Sequence, residues 1–443
     1  MSTSTLTDTP SERMTRTGPQ PGLTLAYCNG LARAGEQVLL AGRSALLIGR
    51  EERLFPGGPL ADSRMSGRHA ALASDRGRWV LVDRQSKNGT FVNGRRVTEH
   101  TLSPGDVLRV GSTFIVFGAV PAEPDRRSSE LVGVGAAMTS VRESVALVAP
   151  TDQTVLVLGE SGSGKEVVAR ELHRQSGRRG PFLAVNCASL RGELLESELF
   201  GHVRGAFTGA QRAHDGLFLR AAQGTVFLDE AGEMDEPVQA RLLRVLEART
   251  VRPVGASEEV AIGPRVVAAT NREVEALVRD KRLRADLYAR LARWTIALPP
   301  LREHREDIGV LARAILARQQ SVIDGRQQPA LDVTPELMAA LLESAWPLNV
   351  RGLVNVLEGA RIAQPGAARL DLVPHVAAAL AAQAQIATAP AEAEEAPSSE
   401  RVTEALQKHA GNIAAVARDL GLTRQSLYRL LERFGLDASA FRG

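Results

Sequence analysis

Short apolar runs separated by turn residues fill the first quarter of the chain. Val38-Leu39-Leu40, Ala45-Leu46-Leu47-Ile48, Trp79-Val80-Leu81-Val82 and Thr113-Phe114-Ile115-Val116-Phe117 have strand length, and Asn88-Gly89 and Asn93-Gly94 mark turns between strands. This spacing predicts an all-β sandwich over residues 22–119. From Leu131 the period changes. Apolar runs at Thr154–Leu158, Thr225–Leu228 and Arg265–Ala269 alternate with helical periods at Val167–Gln175 and Pro237–Leu246. That alternation predicts an α/β domain with a parallel sheet over 131–298, followed by a helical subdomain over 299–375. Residues 405–436 read as three short helices. Ile413, Val416 and Ala417 lie on one face, Leu420-Gly421-Leu422 turns, and Thr423 caps a helix with Leu427, Leu430 and Leu431 as its buried stripe.

Composition fills the gaps between these blocks. Residues 1–21 hold Thr3, Thr5, Thr7, Thr9, Thr15 and Thr17 with little to bury, and read as disordered. Residues 120–130, with Pro121, Pro124 and a charged cluster, read as a linker. Residues 376–400 are Ala-, Gln- and Glu-rich and carry no Lys or Arg, which reads as a flexible tether. The final block, 401–443, has seven Lys/Arg against four Asp/Glu. The whole chain is only +3 over 443 residues, so any contact with nucleic acid is expected to be local. Two distant cysteines, Cys28 and Cys187, argue against a disulfide framework or a Cys-rich metal site, and fit a reducing compartment. The Ser/Thr-rich start does not read as a signal peptide, and no apolar run reaches membrane-spanning length; the expectation is a cytoplasmic protein.

Candidate chemistry concentrates in the α/β block. Gly159-Glu160-Ser161-Gly162-Ser163-Gly164-Lys165 follows an apolar strand and opens a helix, the setting a phosphate loop requires. Its glycines let backbone N–H groups close on phosphates, the helix N-terminus adds positive dipole, and Lys165 reaches the β- and γ-phosphates. Glu166 stands where the general motif has Ser or Thr for Mg²⁺. Asp229 and Glu230 end the apolar run Val226–Leu228. Alone, such a pair is an acidic strand end at solvent. Downstream of a phosphate loop it reads as the second nucleotide motif, with Asp229 holding Mg²⁺ and Glu230 polarising water. The cofactors expected are therefore a nucleotide carrying a γ-phosphate and Mg²⁺, the nucleotide being ATP by the resemblance given next.

Between these segments lies Gly205-Ala206-Phe207-Thr208-Gly209-Ala210, whose glycines permit sharp excursions and whose Phe207 is awkward if exposed without a partner. The hexapeptide resembles the GAFTGA loop of bacterial sigma-54-dependent transcriptional activators, with which that family contacts the sigma factor. The resemblance spans roughly residues 131–375. It implies a switch asparagine at Asn186, a γ-phosphate sensor at Thr270 and Asn271, trans-acting arginine fingers at Arg284 and Arg290, and a lid sensor at Arg351. An acidic residue at the Glu166 position is common in that family. Val203, Leu348 and Gly352 depart from the family's usual residues.

Two further resemblances frame the ATPase. Leu47-Ile48-Gly49-Arg50, Ser66-Gly67-Arg68-His69 and Asn88-Gly89-Thr90-Phe91-Val92-Asn93-Gly94 are similar to a forkhead-associated (FHA) domain. That implies phosphothreonine binding by Arg50, Ser66, Arg68 and Asn88, with His69 structural, Asn93 steadying the turn, and Lys87 in a place often taken by Ser or Thr. The C-terminal block resembles a Fis-type helix-turn-helix. That resemblance implies Gln425 and Ser426 as candidates for base edges, and Arg429 and Arg433, with Arg424 outward beside them, as candidates for phosphates of double-stranded DNA.

Together these resemblances imply an ATP-driven activator of sigma-54 RNA polymerase, a homo-oligomeric ring of hexamer type, with input from a phosphothreonine protein or peptide. Phosphorylated Thr5, Thr7 or Thr9 of the chain's own tail is one candidate ligand. A DNA-bound phosphopeptide scaffold or repressor with a vestigial ATPase is the alternative; intact Lys165, Glu230, Arg290 and Thr208 speak against it. A remodelling chaperone would lack both the Phe207-Thr208 loop and the helix-turn-helix.

Overall fold

The structure is a computed structural model. It describes residues 18–123, 129–190, 192–207, 210–320, 331–388 and 399–420, together with 427, 430, 431, 434, 436 and 438–441. By internal contacts the chain forms two compact units, 1–384 and 385–443.

The N-terminal part is a sandwich of ten strands: β1 (Gln20–Tyr27), β2 (Gln37–Leu39), β3 (Ala45–Ile48), β4 (Ala70–Asp75), β5 (Arg78–Asp83), β6 (Thr90–Val92), β7 (Arg95–Val97), β8 (Glu99–Thr101), β9 (Val107–Val110) and β10 (Thr113–Val120). One sheet has the order β2-β1-β10-β9-β6-β7 and the other β3-β4-β5-β8. Leu23, Leu25, Ile48, Leu72, Leu81 and Ile115 meet between them, the alternating inward positions that a half-buried antiparallel sheet demands. The strands overrun both expected edges. Gln20 and Pro21 belong to β1 rather than to a disordered tail, because they pair with Val120 and Ala119, and Val120 itself is strand rather than linker. Residues 1–17, including Thr5, Thr7 and Thr9, lie outside the described residues.

The ATPase body has a five-stranded parallel sheet in the order β12-β13-β16-β11-β17, made from β11 (Val155–Leu158), β12 (Phe182–Asn186), β13 (Thr225–Asp229), β16 (Arg265–Thr270) and β17 (Trp294–Ala297). A small hairpin of β14 (Thr250–Val251) and β15 (Val260–Ala261) branches off before β16. Strands buried on both faces explain the unbroken apolar runs seen in the sequence: every residue of β16 is buried. Helices Ala136–Val148, Lys165–Gln175 and Glu236–Ala248 cover the faces. The lid follows with helices Ile308–Gln320, Pro335–Glu343 and Asn349–Ala363, and a two-stranded pair, β18 (Asp332–Val333) with β19 (Arg369–Leu370).

The expected tether is largely helix. Pro374–Thr388 is one continuous helix whose Val376 and Leu380 enter the lid core, while Gln383 Nε2 donates to the Gly352 carbonyl at 3.2 Å. Alanine and glutamine are good helix formers, and three residues spaced i, i+4, i+7 supply a docking stripe, which composition alone hid. This packing also accounts for Gly352: a Cβ there would stand 2.5 Å from Gln383 Oε1.

In the second unit, helices Ser399–Lys408 and Ile413–Asp419 pack Val402, Leu406 and Val416 with Leu427, Leu430 and Leu431 into a small core. The Asn412 side chain accepts from Ala415 N at 3.3 Å, capping the second helix. The first helix thus starts at Ser399, ahead of the expected Ala405. Arg424, Gln425, Ser426, Arg429 and Arg433 lie outside the described residues.

Candidate functional site

The parallel topology carries the ends of four neighbouring strands to one edge. Asn186 and Asp229 are register partners at the ends of β12 and β13, and Leu158 and Thr270 are partners at the ends of β11 and β16. In an open α/β sheet this carboxyl edge is where ligands bind. The phosphate loop leaves β11 here and turns into the helix starting at Lys165, with Gly162 at φ 76° and Gly164 at φ 104°, a backbone that glycine adopts without a Cβ clash. A Cβ on Gly162 would also lie 2.3 Å from the Leu348 carbonyl of the lid.

Lys165 is almost wholly buried. Its Nζ donates to the carbonyls of Gly159 at 3.0 Å and Glu160 at 3.3 Å, and stands 3.7 Å from Glu230 Oε1. Glu230 is held in the left-handed region, φ 50° and ψ 47°, an uncommon conformation for a non-glycine residue. Its Oε2 accepts from Asn271 N at 3.3 Å, which ties the strand-end acid to the β16 end. Asn186 Nδ2 lies 3.5 Å from Asp229 Oδ2, so the amide meets the aspartate of the pair rather than the glutamate. Thr270 is buried, its hydroxyl accepting from Arg272 N and its carbonyl accepting from Gly159 N. Arg351 reaches the loop from the lid, donating to Ser161 Oγ at 3.1 Å, with its backbone N–H on the Gly162 carbonyl.

Two loop residues have other partners. Glu160 is clamped by both arms of Arg302, at 2.9 and 2.7 Å, and by Asn349 Nδ2 at 3.0 Å; the guanidinium holds its carboxyl below the usual range. Glu166 points along its own helix and pairs with Arg170 at 2.6 Å on an exposed face. Asn349 and Arg302 escaped the sequence reading. Asn349 sits two residues before the expected lid sensor, Arg351, but only its complete burial across the loop shows that it joins lid to loop.

Beside the loop lies a cavity of about 140 Å³ with mostly apolar walls, including Leu131, Val132, Leu298, Leu311, Ile315 and Val350. These positions carry no polar signature and were also missed; nothing but the fold gathers them. Arg284 and Arg290 are not gathered. Arg284 makes a two-armed pair with Asp286, and Arg290 meets Glu247 at 3.3 Å. Neither is recorded in contact with Lys165, Asp229 or Glu230 among the described residues.

The hexapeptide loop is a tight excursion. Gly205, at φ 83°, donates to the Ala210 carbonyl, and Ala210 N donates to the Phe207 carbonyl. Phe207 is half-buried rather than bare, its ring set edge-on to His202 with centroids 4.9 Å apart. His202 is itself fixed, Nδ1 against Ser197 Oγ at 2.8 Å and Nε2 against the Arg212 carbonyl at 2.9 Å. Thr208 and Gly209 lie outside the described residues.

On the sandwich, Arg50, Ser66, Arg68 and Asn88 come from three loops that converge. Arg50 N donates to the Ser66 carbonyl, Ser66 Oγ accepts from Lys87 N at 3.1 Å, and Asn88 Nδ2 donates to the Arg64 carbonyl at 2.6 Å. Arg50 and Arg68 are exposed. His69 is fully buried, its Nδ1 accepting from Ser66 N and its Nε2 facing the Gly89 carbonyl, so it braces two loops at once. Asn93 spans its turn, bonded to Asp106 Oδ1 and Val107 N.

A phosphate loop, paired strand-end acids and a helical lid on one parallel sheet define an ATPase of the AAA+ class. Sequence comparison agrees segment by segment: residues 131–297 match the Sigma-54 interaction domain, 46–111 the FHA domain, 302–393 the AAA+ ATPase lid domain, and 398–434 the Fis family of bacterial regulatory proteins. The chain is 40% identical over 310 residues to Regulatory protein AtoC of Escherichia coli strain K12, covering 68% of this chain and 67% of that one. It is 38% identical over 331 residues to Transcriptional regulatory protein GlrR of the same strain, covering 73% and 72%. Among solved structures, NtrX from Brucella abortus aligns at TM-score 0.50 and 32% identity over 69% of each chain, and NtrX in complex with ADP at 0.50 and 30%, covering 69% of this chain and 70% of that one. The chain belongs to the sigma-54-dependent transcriptional regulators. It is an ATPase with an FHA domain ahead of its motor and a Fis-type DNA-binding domain behind it. Among the described residues no helix is long and apolar enough to cross a membrane.

Proposed function

We propose that this protein hydrolyses ATP in a cytoplasmic homo-oligomeric ring, of hexamer type, to remodel the closed promoter complex of sigma-54 RNA polymerase, under control of phosphothreonine binding at its FHA domain. The observation that carries this reading is the meeting of Lys165, Asp229, Glu230 and Asn271 at one sheet edge, beside a lid that reaches the loop through Arg351. In this reading the amides of Gly159–Gly164 cradle the phosphates, Lys165 neutralises the β- and γ-oxygens, and Glu230 orients the attacking water. Thr270 and Asn271 sense the γ-phosphate, and Asn186 reports its loss. The apolar cavity takes the base.

Asp229 is the residue to hold Mg²⁺, which binds through one or two carboxylates together with substrate phosphates and would supply charge neutralisation there. The residues fit that mode. Among the described residues no group of three or more His, Cys, Asp or Glu is placed to hold a metal ion. Glu166, already paired with Arg170, is left as a helix-face residue rather than a metal ligand. Arg284 and Arg290 complete the site of a neighbouring subunit, each giving up an exposed ion pair within its own subunit to do so. Gly205–Ala210 touches the sigma factor, with Phe207 released from His202 in the nucleotide state that engages it. Arg50, Ser66, Arg68 and Asn88 hold the phosphothreonine. Arg424, Gln425, Ser426, Arg429 and Arg433 meet upstream double-stranded DNA.

The test is promoter opening by purified protein with sigma-54 polymerase. Wild type with ATP is expected to melt the promoter and Thr208→Ala to fail while still hydrolysing ATP. Equal melting by both overturns the assignment of the loop.

A further inference from the structure

The sandwich is not held to the ATPase by a linker alone. Ala26, Tyr27, Leu31, Ala34, Phe114 and Val116 lie in one apolar core with lid residues such as Leu316, Val333 and Leu337. Polar contacts edge that core. Tyr27 Oη donates to the Val333 carbonyl at 3.0 Å, Leu31 N donates to Asp332 Oδ1 at 3.0 Å, and Arg313 donates to the Ala32 carbonyl at 2.9 Å. Gln37 Nε2 donates to the Val134 carbonyl at 2.9 Å. The approach is close enough that a Cβ on Gly309 would lie 2.1 Å from the Ala26 carbonyl oxygen.

These contacts fall on the backs of two of the walls of the apolar cavity. Helix Ile308–Gln320 turns Leu311, Ala314, Ile315 and Arg318 toward the cavity, spaced i, i+3, i+4, i+7, while Gly309, Val310 and Arg313 meet the sandwich. The second of these walls is Leu131 and Val132, and the same strap continues into Val134, which Gln37 holds. The docking loop is stiff. Arg33 and Glu36 pair at 2.7 Å, Arg33 donates to the Pro59 carbonyl and Glu36 accepts from Gly57 N, so the segment from Leu31 to Gln37 is tied into the sandwich.

We propose that Tyr27, Leu31 and Gln37 are positioning residues of the nucleotide site: the FHA domain braces the lid helix and the strap that wall the base pocket, and nucleotide affinity depends on that brace. The inference rests on the reading of the apolar cavity as the base site. A brace of this kind raises affinity by keeping the pocket walls in their bound geometry before the ligand arrives.

Calorimetric titration of the full-length protein with ADP and, separately, with inorganic pyrophosphate tests it. Tyr27→Phe, which keeps the ring, and Gln37→Ala, at the edge of the contact, are the variants. Combined, they are expected to weaken ADP about thirtyfold, as two lost interface hydrogen bonds of ordinary strength would, while pyrophosphate, which reaches neither the strap nor the lid helix, keeps its wild-type Kd. Unchanged ADP affinity alongside a lowered melting temperature makes the interface structural only and overturns the proposal. Equal weakening of ADP and pyrophosphate overturns it too, since the loss would then lie in the phosphate loop. Lys165→Ala tests the underlying reading separately: undiminished pyrophosphate binding by that variant would displace the nucleotide from this edge altogether.

Discussion

Asn349 is the residue whose removal should do most to separate lid from loop. It is completely buried, at φ 51°, with three hydrogen bonds: Oδ1 accepts from Leu301 N at 2.8 Å, and Nδ2 donates to Glu160 Oε2 at 3.0 Å and to the Ser161 carbonyl at 3.1 Å. Two of these are neutral, worth about 1 kcal/mol each, and one meets a carboxylate, worth about 2 kcal/mol. Alanine loses all three and tolerates positive φ less well than asparagine, which adds about 1 kcal/mol. Asn349→Ala should therefore destabilise the lid–loop junction by about 4 to 5 kcal/mol. Hydrogen exchange read by mass spectrometry addresses the junction directly, because the Leu301 amide is the donor that the substitution orphans. Its exchange should quicken by at least about a hundredfold wherever local opening limits protection, since each 1.4 kcal/mol is a factor of ten. Asn349→Asp is the sharper companion. It keeps the shape and the acceptor to Leu301 but sets a second carboxylate against Glu160. Protection of the Leu301 amide should then fall less than in the alanine variant, while nucleotide affinity falls at least as far. Wild-type exchange at Leu301 in Asn349→Ala would refute the claim that this side chain pins the lid.

Other consequences can be checked more briefly. Arg290→Ala, which removes only an exposed ion pair within its own subunit, should bind ATP normally yet turn over at least about a thousandfold more slowly, the contribution typical of an arginine finger; normal turnover removes it from the site. Wild-type ATPase rate per subunit should rise with protein concentration and plateau, and a flat line would exclude a shared site. Burial and the neighbouring Asp307 push the Glu306 carboxyl up to about 7 in the folded protein. The unfolded chain releases that proton near its ordinary value of 4.5, so between 4.5 and 7 the folded state binds more protons and stability falls as pH rises. Glu306→Gln should flatten that decline in melting temperature across the window, and an unchanged slope assigns it to other groups. Gly352→Ala drives a Cβ into Gln383 and should loosen the helix Pro374–Thr388, seen as increased proteolysis after residue 374.

Much of this protein was written in local pattern. Alternating short strands, βα alternation and a leucine stripe gave the sandwich, the parallel-sheet ATPase and the C-terminal helices, because periods of 2 and 3.6 report which face is buried whatever the fold. Lys165, Asp229 and Glu230 were legible for a related reason: phosphate chemistry needs a glycine-rich turn and a strand-end acid at a fixed order along the chain. His69 could be assigned as a brace from its motif, and the structure shows the two loops it ties.

Tertiary structure decided what has no sequence period. Residues 376–388 had a tether's composition and became a helix because the lid offered Val376 and Leu380 a groove. Asn349 and Arg302 matter through Glu160, which lies 189 and 142 residues away from them. Phe207 lies against His202 instead of standing bare, and the sandwich lies against the back of two walls of the apolar cavity. A sequence records which residues must be buried, since burial is a property of one residue and its near neighbours. What buries them, and hence which distant groups share a core, is settled only when the free energy of whole surfaces is compared.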